Sequence, residues 1–187
     1  MLRTRSTVRS GLWIAAALCT WMSLSELAKA ETTIAADLDL NIPIDADNLS
    51  TGGGFGIRLG SQLHLPLVVL NPEIGFSYAT LSGDVSSPKI YRGIAGARLG
   101  IGEILRFGVL AHIGFGYLTL DLPSPAPDID YFAFAFDAGV FLDFTLLPLL
   151  NLGVHAIFNR LSPTTEKNIH YDAVNWMQLG IHAALVF

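Results

Sequence analysis

Cysteine, charge and long apolar runs are all scarce in this chain. Its 187 residues include one cysteine, Cys19, close to the N-terminus. A chain whose remainder has no thiol builds neither a disulfide framework nor a thiolate metal site. Charged residues make up 14% of the total, against roughly 25% in soluble domains. So apolar a chain either buries an unusual share of its surface or faces lipid. Yet no window offers the roughly eighteen uncharged apolar residues of a membrane-crossing helix. The nearest, Tyr131 to Phe158, is interrupted by Asp137, Asp143, Pro148 and His155. Read as helices of an inner-membrane protein, it would leave two carboxylates and many glycines in lipid, which is costly.

The first thirty residues have their own layout. Arg3, Arg5 and Arg9 make a basic start, Leu12 to Leu24 an apolar stretch, and Ala28-Lys29-Ala30 a small-residue cleavage site. This is the plan of a secretory leader, which divides the chain into a signal peptide over 1–30 and one domain over 31–187. Ala16-Ala17-Leu18 before Cys19 does not match a lipoprotein signal, so no lipid anchor is expected. Without the leader, seven basic and fifteen acidic residues remain and the net charge moves from −5 to −8. Nucleic acid is excluded as a partner, because phosphate binding needs a basic surface.

What the domain does have is alternation with period two, the mark of a strand with two unlike faces. In the sixth segment Phe132, Phe134, Phe136, Ala138, Val140, Leu142 and Phe144 share one parity; Ala133, Ala135, Asp137, Gly139, Phe141 and Asp143 share the other. The second sets Phe55, Ile57, Leu59, Leu63 and Leu65 against Gly56, Arg58, Gly60, Gln62 and His64. The third sets Leu70, Ile74, Phe76 and Tyr78 against Asn71, Glu73, Gly75 and Ser77. The fifth sets Leu105, Phe107, Val109, Ile113 and Tyr117 against Arg106, Gly108, His112 and Gly114, and the seventh sets Leu152, Val154 and Phe158 against Asn151, His155 and Asn159. The first, fourth and eighth segments (34–44, 90–101 and 171–187) are weaker. They put Asp37 and Asp39, Arg92 and Arg98, and Trp176, Gln178 and His182 on the inner parity, with Ile94 as an odd apolar member. A large apolar face opposite a small or charged one is the pattern of a membrane barrel, with lipid outside and a polar interior. The expected fold is therefore all-β: a closed antiparallel up-and-down transmembrane barrel of about eight strands. A soluble lipocalin-like carrier, with the apolar face inward around a ligand, is the alternative built on the same alternation.

The connections support the membrane reading. Those at 65–68, 102–104 and 145–149 are short, whereas 45–52, 80–88, 121–130 and 161–170 are longer and rich in Pro, Ser, Asp or Gly. Short periplasmic turns and longer outer loops fit this, with both termini in the periplasm. All five tyrosines (Tyr78, Tyr91, Tyr117, Tyr131 and Tyr171) fall beside the longer loops, where an aromatic girdle would stand at headgroup level. Gly56-Ile57-Arg58-Leu59-Gly60 echoes Gly96-Ala97-Arg98-Leu99-Gly100, a faint trace of hairpin duplication.

The chain ends in Phe187, after Leu185, Ala183, Ile181 and Leu179 at alternating positions. This resembles the C-terminal signature of bacterial outer-membrane barrels, and the whole is similar to the small eight-strand group typified by the membrane domain of outer-membrane protein A. The resemblance implies a porin-like, monomeric barrel in the outer membrane. It also implies lipid around the barrel and recognition of the last strand by the barrel-assembly machinery. No peptidoglycan-binding domain is expected after the last strand.

The candidate functional residues lie on the inner parity: Arg58, Arg92, Arg98 and Arg106 with Asp37, Asp39, Glu73, Asp137 and Asp143, joined by His64, His112, His155 and His182. In a narrow barrel such charges must be paired. A structural salt-bridge core is one reading and a narrow ion path another. No metal or cofactor is expected, since no compact His-x-His or His-Glu-x-x-His spacing occurs. A lipid-modifying outer-membrane enzyme is a further alternative. Its loop serines (Ser82, Ser86, Ser124 and Ser162) have no recognisable nucleophile setting, so no enzyme is expected. The favoured function is a structural or surface-interaction role.

Overall fold

Alternating large and small side chains commit each segment to a strand with two unlike faces, and the eight long strands close on themselves. A computed structural model describes residues 30–44, 48–83, 86–122, 129–166 and 169–187. The leader expected over 1–30 lies outside these apart from Ala30, as does Ser124. The barrel strands are β1 (Ala30–Ile44), β2 (Gly52–His64), β3 (Val69–Thr80) and β4 (Lys89–Ile101). They continue as β5 (Leu105–Leu120), β6 (Ile129–Leu147), β7 (Leu150–Leu161) and β8 (Val174–Val186). Each pairs antiparallel with the next, and β8 returns to β1 through a register that sets Asp37 opposite His182. Closure leaves no open edge, as a spanning sheet requires. Thr32 and Phe187 seal the seam at its end, exchanging two backbone hydrogen bonds of 2.7 and 3.0 Å.

Strands of 12 to 19 residues exceed the roughly 9–11 that cross a bilayer, so the barrel wall projects beyond the membrane. At one end the turns are tight. Leu65 N–H donates to Val68 O at 2.9 Å, and the turn after β4 needs Gly102 at φ 109°, a region that favours glycine. At the other end two small ribbons, Leu49–Ser50 with Ser82–Gly83 and Thr164–Glu166 with Ile169–Tyr171, sit on the loops. Two boundaries differ from expectation. β6 continues through Thr145 to Leu147, with a register irregularity against β7, and Tyr171 belongs to a ribbon, β8 starting only at Val174.

The outer face carries the large apolar residues. Ile57, Phe107, Ile113, Phe115, Phe132 and Ile181 are each more than half exposed. A continuous belt of this kind is intolerable in water and is what a lipid-facing barrel presents. The soluble-carrier reading fails on this point, because it needs these side chains inside. The interior is filled instead. At the loop end Ala79, Ile90, Leu118, Tyr131, Ala133, Ala135, Leu161 and Trp176 form an apolar plug. Lower down, Leu110, Phe141 and Ile157 form a second, smaller one. Between and beneath them lie the charges.

Candidate functional site

The interior charges form two hydrogen-bonded sets. The upper set starts at Arg58 on β2, whose Nη2 and Nε donate to the two oxygens of Asp37 at 2.7 and 2.9 Å. The same guanidinium donates through Nη1 to Glu73 at 2.9 and 3.0 Å. The His112 ring bridges onward, with Nε2 on Glu73 at 2.9 Å and Nδ1 on Asp137 at 2.6 Å. Two carboxylate oxygens facing two ring nitrogens require the imidazole to carry both protons. Arg92 completes the set: it reaches Asp137 at 3.4 Å, donates to Ser77 Oγ at 3.0 Å, and donates to the side-chain oxygens of Asn159 and Gln178. Its guanidinium also lies 5.0 Å from the centre of the Trp176 ring, a cation–π contact that ties the charges to the plug. Arg58, Arg92 and doubly protonated His112 thus balance Asp37, Glu73 and Asp137.

The lower set is a relay across the seam. His155 Nε2 donates to Asp39 Oδ1 at 2.7 Å, and His182 Nε2 donates to Asp143 Oδ1 at 2.8 Å. The two Nδ1 atoms face each other at 3.2 Å with the rings stacked at 5.4 Å. One Nδ1 must donate to the other. Arg98 lies 3.5 Å from both Asp143 and His182 Nε2 and 3.9 Å over the Phe141 ring. Arg98 and the two histidines thus surround Asp39 and Asp143. Buried ions persist only when paired and hydrogen-bonded in this way. Inward glycines make the space: a Cβ at Gly180 would overlap Asp39 Oδ1 and the His155 ring.

Asp37, His155 and His182 each place one ligand-type atom within 4.8 Å of the others. All four ring nitrogens already face Asp39, Asp143 or each other, so a metal would have to displace those bonds.

Three expected positions fall elsewhere. His64 lies at the turn-end rim, exposed and 3.2 Å from Glu31, because its strand ends there before the lumen closes over it. Tyr78, Tyr91 and Tyr117 stand in cross-strand register on the outer face between Phe55 and Phe132, an unbroken aromatic row over five strands. Tyr131 and Tyr171 do not join it. Tyr131 shares the inward parity of Ala133 and Asp137, is 4% exposed, and stacks on the ribbon residue Tyr171 at 4.4 Å. Arg106 joins neither charge set; among the described residues no carboxylate lies within 4 Å of it. Phe187 points outward and is exposed. Ile94, on the inner parity, lines a small interior void.

Sequence reasoning put Ala133, Ala135, Phe141 and Trp176 on the inner parity but missed Ile90, Leu118, Leu161, Leu110 and Ile157, which complete the apolar layers. Ile90, Leu118 and Leu110 have the parity of Arg92, Gly116 and His112, so parity marks them as inward. Their apolar character pointed the other way, because a polar interior was assumed throughout.

No protein-family model matches the chain, and no curated protein sequence does. Solved structures match the fold. Neisserial surface protein A aligns with a TM-score of 0.55 at 12% identity, covering 84% of this chain and 97% of that one. Ail, the attachment invasion locus protein of Yersinia pestis, aligns at 0.52 and 15% identity, covering 84% and 99%. The outer-membrane enzyme PagL aligns at 0.54 and 13% identity, covering 79% and 97%. The chain has the fold of the small eight-strand outer-membrane β-barrels.

Proposed function

We propose that this chain is an outer-membrane protein whose barrel is a sealed scaffold and whose loop end carries a structural or surface-interaction role. The filled lumen carries the reading. Paired charges occupy it from wall to wall, the apolar plug caps it, and the voids within the charge sets measure only about 20 and 30 Å³, room for about one or two waters each. In this reading the leader over 1–30 is removed, and the short turns and both termini lie in the periplasm. The barrel is monomeric, and its last strand, ending at Phe187, is the part the assembly machinery recognises. The names of two fold neighbours, a surface protein and an attachment protein, favour a surface role over a transport one. An enzymatic role has a weaker basis: among the described residues no serine hydroxyl is hydrogen-bonded to a histidine.

Conductance across planar bilayers tests the proposal. The refolded protein should add no discrete current steps to those of lipid alone. Regular steps with ion selectivity would make the lumen a narrow pore and overturn the scaffold.

A further inference from the structure

We propose that the turn end of the barrel holds a binding site for a small carboxylate, built on Arg106, Gln62 and Asn151. The argument starts from charge. Arg106 joins neither interior set, and among the described residues no carboxylate lies within 4 Å of it, Asp143 and Glu31 acting on it only from further away. It is nonetheless 93% buried, with 7% of its surface exposed. Its cross-strand neighbour on β6 is Asp143, but that carboxylate is held by His182 and Arg98. No direct contact joins the two, and the Arg106 stem lies against Gly100. Among the described residues its one hydrogen bond is a long one, Nε to Gly102 O at 3.5 Å. The terminal nitrogens donate to no protein atom among these residues. A guanidinium whose terminal donors are unused beside a water-accessible space is a ready partner for an anion.

The surroundings fit. Arg106 lines a vestibule of about 300 Å³ at the turn end and also borders the small void above it. Gln62 and Asn151 line the same two spaces, are each 5% exposed, and make no side-chain hydrogen bond within the described residues. Three buried polar side chains with unused donors thus meet on one cavity, supplying a guanidinium fork and two amide N–H groups. A guanidinium pairs bidentately with a planar carboxylate. Glu31 and Glu103 stand on the vestibule lining as well. Their charge weakens the pull on any anion and most on a multiply charged one such as phosphate, so a singly charged carboxylate is the better guest. The inference goes beyond the scaffold reading and depends on neither the conductance of the lumen nor the orientation of the barrel.

The test uses the full domain refolded in an uncharged maltoside detergent, titrated with trifluoroacetate and followed by fluorine NMR. A saturable shift, displaced by acetate and weakened about tenfold or more by Arg106→Gln, is expected. The variant should keep the heat-modifiable gel mobility of a closed barrel, because Arg106 has no partner to strand. If it fails to fold, the paired changes Gln62→Ala and Asn151→Ala serve instead, with a several-fold weakening expected. A response that never saturates, or one unchanged in these variants, overturns the site. Displacement by phosphate at lower concentration than by acetate overturns the carboxylate assignment.

Discussion

Asp137 illustrates what a single interior residue does. It accepts from His112 at 2.6 Å and neighbours Arg92 at 3.4 Å, both in surroundings closed to solvent. Asp137→Asn strands two cations at once and should cost about 3–5 kcal/mol, read as a lower urea midpoint in lipid vesicles by tryptophan fluorescence. Arg106→Gln should cost less than about 1 kcal/mol in the same assay, since no protein carboxylate loses its partner. Gly180→Ala brings a methyl group into Asp39 and His155. The overlap should cost about 1–3 kcal/mol in that assay. Parity in the sequence already placed Arg58 and Asp37 in the lumen. Their pairing was not legible, because it is diagonal: Asp37 faces Gly56 across the strand pair, and Arg58, two residues further along β2, reaches back to it.

At the scale of elements, the outward row from Phe55 through Tyr78, Tyr91 and Tyr117 to Phe132 works as one unit. Its ring centres are 5.5, 5.1 and 4.8 Å apart at three of its contacts. Such pairs contribute about 0.5–1.5 kcal/mol beyond the area they bury. Tyr91→Ala, in the middle, should lower stability by about 1 kcal/mol through its ring contact with Tyr78; an unchanged unfolding midpoint would show that the row is ornamental to folding. Placing a tyrosine beside a loop is enough to predict three members of this row. It fails for Tyr131, whose parity turns it inward into the plug, and for Tyr171, which lies in a loop ribbon. Proximity in sequence to a loop says nothing about which side of the sheet a residue occupies, whereas parity does.

The whole molecule is a tube lined with paired charge, capped by Trp176 and Leu161 at the loop end and open to a vestibule at the turn end. Replacing both cap residues with alanine should still give no ionic conductance, because the Arg58 and Arg92 set lies beneath the cap and blocks the lumen. Conductance steps in that double variant, absent from the parent, would place the seal in the plug alone. The intact barrel should migrate faster on a gel before boiling than after, with a β-type circular dichroism spectrum. A helical spectrum would sink the architecture itself.

The sequence by itself determined the lipid and lumen faces of the strongly alternating strands, where the tight turns and long loops lie, and that about eight strands are needed. These follow from a two-residue period and from turn composition, both of which act over a few neighbouring residues. Tertiary structure alone decided which ions meet, that His155 and His182 share a relay across the closing seam, that apolar side chains cap a polar lumen, and that Arg106 is left over. Those outcomes depend on the register and stagger between strands. Residues 116 positions apart, such as Asp39 and His155, become neighbours only when the sheet closes.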